Sequence, residues 1–178
     1  MRRRLRLTGL LASAALLAAG LAVPVAGDTA PAGDAVGPLR QPDLQVRARD
    51  GRWLGRDRWP QANAVHRTDR FGATGVTRRY RARVVNAGYE GERYRLTGRP
   101  SGGGWSVRYR HRGRDVTREL GEGELPPRLT PRQSWTFRVV VRRTAQAVDG
   151  TERLHWVRAR SAVDGTRHDR IAMKLLAR

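Results

Sequence analysis

From residue 134 to residue 142 apolar and polar side chains alternate. Trp135, Phe137, Val139 and Val141 fall on one side, and Thr136, Arg138, Val140 and Arg142 on the other. Successive side chains of a strand point to opposite faces, so this pattern predicts a strand with one buried face and one mostly basic face. A one-residue slip would bury the arginines, which fixes the register. The scheme recurs at 79–85, where Tyr80, Ala82 and Val84 oppose Arg79, Arg81 and Arg83. It recurs again at 105–110, where Trp105, Val107 and Tyr109 oppose Ser106, Arg108 and Arg110.

Shorter runs predict further strands at 44–48, 93–97, 115–120, 154–161 and 168–176, and no window carries a 3.6-residue apolar stripe. Asn86-Ala87-Gly88 and Asp164-Gly165 supply turns that tolerate left-handed backbone, the second closing a hairpin between the last two strands. The Pro-rich stretch 125–131 reads as a connection between sheets or across an edge. About eight short strands in roughly 135 residues is the arithmetic of an all-β sandwich.

Upstream the pattern changes. Arg2, Arg3, Arg4 and Arg6 precede an apolar run from Leu10 to Val23, which is shorter than the ~20 residues of a membrane span. Residues 1–26 therefore read as a signal peptide, with Ala26 or Ala32 as candidate cleavage positions, and an uncleaved anchor as the one route to a membrane. Residues 27–42, rich in Ala, Gly, Pro and Asp without periodicity, read as a flexible linker, and 43–178 as one β domain. The expected location is outside the cytoplasm of a bacterium.

Charge sharpens the picture. The chain carries a net charge of +20, and Lys174 is its only lysine, so nearly all of the positive charge is guanidinium, whose planar fork suits carboxylate, phosphate and sulfate. A GC-rich genome accounts for arginine over lysine better than for so large an excess. There is no cysteine, which excludes disulfides, thiolate metal sites, thiol nucleophiles and a lipid-anchored leader.

The order of motifs resembles a known family. Gln41-Pro42-Asp43-Leu44, Gly51-Arg52-Trp53-Leu54-Gly55, Tyr80 to Gly88, and Gly104 to Tyr109 with Asp115-Val116-Thr117 are together similar to the immunoglobulin-like modules of exported bacterial surface proteins, of the NEW3/CARDB-like kind. The likeness spans about residues 41–176. It implies an immunoglobulin-like sandwich of about seven to eight strands with a structural or adhesive role and no catalytic residues. Two features depart from that family: the sequence reads as a single module without internal repeat, and it is far more basic.

Catalytic and metal-binding patterns find no footing. His66, His111, His155 and His168 are widely separated and form no His-Glu-x-x-His pair, and neither a Gly-x-Ser-x-Gly elbow nor a P-loop occurs. Glu90 and Glu92, and Glu119, Glu122 and Glu124, cluster in Gly-rich turns. They read as turn residues paired with arginine, against the alternative of an acid and base for glycoside cleavage. No cofactor, no metal and no enzyme activity is expected. The candidate binding residues are Arg79, Arg81, Arg83, Arg108, Arg110, Arg112 and Arg138, a cationic face for an anionic envelope polymer or an acidic protein, or else a solvated face that guards the sheet. With no aromatic platform among those arginines, sequence-specific nucleic-acid binding is not expected. Trp105 and Trp135 read as core. Trp53 and Trp59, in a polar loop, suit stacking on a sugar or under an arginine, which makes a carbohydrate-binding module the alternative.

Overall fold

The computed structural model describes residues 39–48, 51–56, 66–124 and 128–178. The expected signal peptide, most of the linker, Trp59, Pro126 and Pro127 lie outside the described residues.

The described chain forms β1 (Pro42–Ala48), β2 (Arg67–Phe71), β3 (Thr77–Asn86), β4 (Tyr94–Gly98), β5 (Trp105–His111), β6 (Arg114–Asp115), α1 (Thr117–Glu122), β7 (Ser134–Arg143), β8 (Glu152–Ser161) and β9 (His168–Ala177). One sheet has the order β1-β3-β7-β5-β6 and the other β2-β9-β8-β4. Setting aside the short β2 and β6, the first sheet joins the first, second, fifth and fourth strands, and the second joins the third, sixth and seventh. That order is the immunoglobulin-like sandwich. Among the described residues no helix is long and apolar enough to cross a membrane.

The core fills from the inward positions of the alternating strands. Leu44, Val46, Tyr80, Ala82, Val84 and Val107 bury against Leu96, Val157, Ala159, Ile171, Met173 and Leu175. Trp105 is almost fully buried, and its ring meets that of Phe71 edge-on at 4.8 Å. Trp135 is half-buried at the sheet's end, where it stacks on His111 at 4.6 Å.

One expectation needs correction, and two features go beyond the sequence pattern. Residues 115–120 are not one strand: β6 stops at Asp115, whose Oδ1 accepts the Thr117 N–H at 2.9 Å, and α1 begins. Val116 and Leu120, four apart, both bury, a helical spacing that a window of six residues hides. The segment 67–71 pairs in parallel with β9 and has only Asp69 and Phe71 buried, too little pattern to announce a strand. Asn86-Ala87-Gly88 and Asp164-Gly165 do turn the chain, but none of the five has positive φ. Gly88 is required by close approach instead, since a Cβ there would run into the Leu39 carbonyl.

Two buried ionisable groups act in opposite directions on stability. His155 is fully buried, with Nε2 3.2 Å from the Tyr109 hydroxyl, and burial, then the charges of Arg153 and Arg99, lower its pKa to about 3. Asp169 accepts the Leu44 and Arg170 amide N–H groups at 2.5 and 2.7 Å. Burial outweighs those bonds and, with Asp43 nearby, raises its pKa to about 6.

Between about pH 4.5 and 6 the unfolded chain holds a proton on His155 that the native chain lacks, and the native chain holds one on Asp169 that the unfolded chain has released. His155 thus makes stability rise with pH and Asp169 makes it fall, each by about 1.4 kcal/mol per pH unit. His155→Gln is expected to lower the slope of unfolding free energy against pH by that amount, and Asp169→Asn to raise it. Urea titrations across this range check both, and slopes unchanged from wild type would refute the assignment.

Candidate functional site: a cationic sheet face

The registers of the first sheet bring its outward arginines into line. Arg47 on β1 pairs with Arg81 on β3, Arg81 with Arg138 on β7, and Arg138 with Arg110 on β5. Asp115 on β6 lies opposite Arg110 and ends the row. Neighbouring strands lie about 4.8 Å apart, so four guanidinium stems are set out at that interval across the sheet. The inward neighbours Val46, Ala82, Phe137, Val139 and Tyr109 are all buried, so packing holds the four arginines in phase.

A second row sets Arg79 and Arg108 on either side of Val140, and a third sets Arg83 between Gln45 and Thr136. Arg112 sits in the turn from β5 to β6. There it and Gly113 both have positive φ, 47° and 88°, as a two-residue hairpin of this twist demands. An arginine in that conformation is strained where asparagine or glycine would not be. Two grooves flank the Arg81–Arg138 pair: one of about 750 Å³, also lined by Arg67, Arg78 and Arg79, and one of about 360 Å³, also lined by Arg110 and Arg112.

All seven candidate arginines therefore belong to one sheet, six of them on its strands. Arg47 was missed, although Gln45 and Arg47 alternate with Leu44 and Val46 just as the other arginines alternate with their apolar neighbours.

Some arginines are put to use within the fold. Buried Arg143 donates to the carbonyls of Gly72, Ala147 and Arg178 and pairs with Asp149. Arg67 pairs with Asp69, and Arg114 with Glu119. Arg40 takes both Glu90 and Glu92, and Glu92 also accepts the Ser161 hydroxyl at 2.7 Å. By contrast, among the described residues Arg79, Arg81, Arg108, Arg110, Arg112 and Arg138 form no ion pair and no side-chain hydrogen bond. All six are exposed. Like charges directly opposite on a sheet are destabilising, so the Arg47–Arg81, Arg81–Arg138 and Arg138–Arg110 pairs oppose folding.

Trp53 reaches the same face by a route that the strand pattern does not show. Leu54 folds back to pair with Val46, exchanging hydrogen bonds of 2.9 and 2.8 Å, which turns Trp53 toward the outer side of β1. Its ring lies under the guanidinium carbons of Arg83 at 4.2 Å and Arg47 at 4.6 Å. Arg83 is further fixed by the Gln45 Oε1 at 2.7 and 2.9 Å. Burial lowers its pKa, Asp43 works against that, and Arg47 and Arg56 add to it. Trp53 thus stacks under arginine, one of the two arrangements expected for it.

No protein-family model matches the sequence, and no curated protein matches it. Among solved structures the chain is similar to a FixG-related protein from Vibrio parahaemolyticus, at 7% identity over 77% of this chain and 96% of that one, with a TM-score of 0.43. It is similar to the ASH/PapD-like domain of human CEP192, at 8% identity over 93% and 96%, TM-score 0.39. WR4, a C. elegans MSP family member, gives 10% identity over 62% and 92%, TM-score 0.34. The sandwich assignment rests on the strand order itself.

Proposed function

We propose that the chain is a non-catalytic binding module of the bacterial exterior, whose β1-β3-β7-β5 face associates with linear polymers bearing carboxylate, phosphate or sulfate groups. One observation carries this reading: four arginines stand in a single row across adjacent strands, and among the described residues Arg81 and Arg138 form no ion pair or side-chain hydrogen bond, while Arg110 has only Asp115 opposite it, without a hydrogen bond. A polymer with an anionic group every ~5 Å meets such a row in succession. The leader pattern of residues 1–26 supports export, and the resemblance of residues 41–176 to NEW3/CARDB-like modules supports a place in the cell envelope.

The readout of the polymer is charge and spacing, not base or sugar identity. Trp53 supports this over stacking on a neutral sugar, because two guanidiniums already lie over its ring. The expected result is retention on an immobilised anionic polymer such as polyphosphate at low salt, elution by salt, and no retention on neutral dextran. Retention on dextran that survives high salt would replace this reading with the carbohydrate-binding one.

A further inference from the structure

The second sheet carries arginines in register as well. Arg95 on β4 pairs with Arg160 on β8, which pairs with His168 on β9, and the next outward row sets Thr97, Arg158 and Arg170 side by side. The inward residues between them, Leu96, Val157, Ala159 and Ile171, are buried, so these rows point away from the core and away from the first sheet. Arg95, Arg158 and Arg160 are exposed. Arg160 spends one donor on the Gly165 carbonyl, at 2.5 Å, and keeps its terminal nitrogens. Neither row itself carries a carboxylate: Asp169 points inward, Glu152 lies at the far end of β8, paired with Lys174 at 2.7 Å, and Glu122 and Glu124 flank Gly123 at the β4 edge, where Gly123 abuts the Arg95 stem and Thr97.

We infer that this outer surface of β4, β8 and β9 is a second polyanion-binding face, and that the chain cross-links long anionic polymers. The inference rests on the function proposed above and extends it from one face to two. Packed sheets are about 10 Å apart and their outer side chains point in opposite directions, so one extended polymer segment cannot lie on both faces. Two polymers, or two segments of one, can each take a face. A cationic protein with one binding face would coat a polymer, whereas a two-faced one gathers polymers into particles.

The test uses the whole protein with long-chain polyphosphate, read by light scattering across mixing ratios, beside column retention on the same polymer. Wild type is expected to scatter most near charge equivalence and to clear in excess polymer. Tripolyphosphate, too short to bridge two proteins, gives no scattering. The variant Arg95→Gln, Arg158→Gln, Arg160→Gln should still be retained through the first face and should lose scattering at least ~10-fold, while lysine at the same positions restores it.

An equal-charge control, Arg118→Gln, Arg128→Gln, Arg178→Gln, off both sets of rows, should scatter like wild type. Retained wild type that never scatters, or a second-face variant that scatters like wild type, overturns the two-faced inference and leaves the first face standing. Absence of retention in wild type would remove both.

Discussion

Asn86→Ala is expected to lower the unfolding free energy by about 4 kcal/mol, four net hydrogen bonds at about 1 kcal/mol each. The side chain is fully buried and uses its whole capacity: Nδ2 donates to the carbonyls of Glu90 at 2.6 Å and Leu129 at 2.9 Å, and Oδ1 accepts the Gly88 N–H at 3.0 Å and the Tyr94 hydroxyl at 2.6 Å. Its backbone joins in, with the Asn86 N–H bonding the Gln133 carbonyl and the Arg132 N–H bonding the Asn86 carbonyl at 2.9 and 2.7 Å. One residue thus binds the end of β3, the entry to β7 and the start of β4. Alanine leaves the Tyr94 hydroxyl, the Gly88 N–H and the Glu90 carbonyl without their partner, while the Leu129 carbonyl keeps only the Glu92 N–H at 2.9 Å. Urea unfolding measures the loss, and a cost under about 1 kcal/mol would mean that water or a rearranged turn replaces the network. The position also bears on the cationic face, because β3 and β7 carry the Arg81–Arg138 pair.

Changing Arg81, Arg110 and Arg138 together to Gln is expected to weaken polyanion binding through the first face about 100-fold at low salt, read in a background with Arg95, Arg158 and Arg160 already changed to Gln, taking about 1 kcal/mol for each exposed guanidinium–anion pair removed. The three sit directly opposite one another on adjacent strands, so they meet the same stretch of polymer. The folded state should gain, since three opposed like-charge pairs, Arg47–Arg81, Arg81–Arg138 and Arg138–Arg110, disappear. A rise in melting temperature together with weaker binding would identify a row kept for its partner at the expense of stability. Equal affinity with and without the three changes would return these arginines to the role of solvated surface. A fall in melting temperature would show that the stems, not the charges, matter, because long arginine stems cover apolar surface.

The central sheet was legible because its strands are buried on one face only. In β3, β5 and β7 every inward residue of the alternating stretch is apolar and most outward ones are arginine, so period, register and exposure all followed from the alternation. Strand pairing was not legible: nothing in the sequence says that Arg81, Arg138 and Arg110 are neighbours, since that depends on sheet order and crossovers between sheets. β2 escaped notice because an edge strand held by parallel pairing to β9 needs little apolar pattern of its own. α1 escaped because two buried residues, Val116 and Leu120, are too few to separate a helical turn from a strand. Trp53 reads from the sequence as a loop aromatic fit to lie under arginine. Which arginines it meets is fixed only by the Leu54–Val46 pairing. The arginines of the second sheet were present in the alternation of β4 and β8, but their strands are shorter or interrupted by Trp156 and Leu154, which blurs the pattern.

The most direct test is the affinity for polyphosphate measured against salt concentration in a protein carrying Arg95→Gln, Arg158→Gln and Arg160→Gln, which leaves the first face alone to bind, with a variant in which Arg81, Arg110 and Arg138 are also changed to Gln alongside. If the row meets the polymer, the logarithm of affinity falls linearly with the logarithm of salt, with a slope near −3 for four contacts at about 0.7–0.9 each, and the variant loses most of that slope. A slope near zero with the row intact, or the same slope in both proteins, would contradict the account.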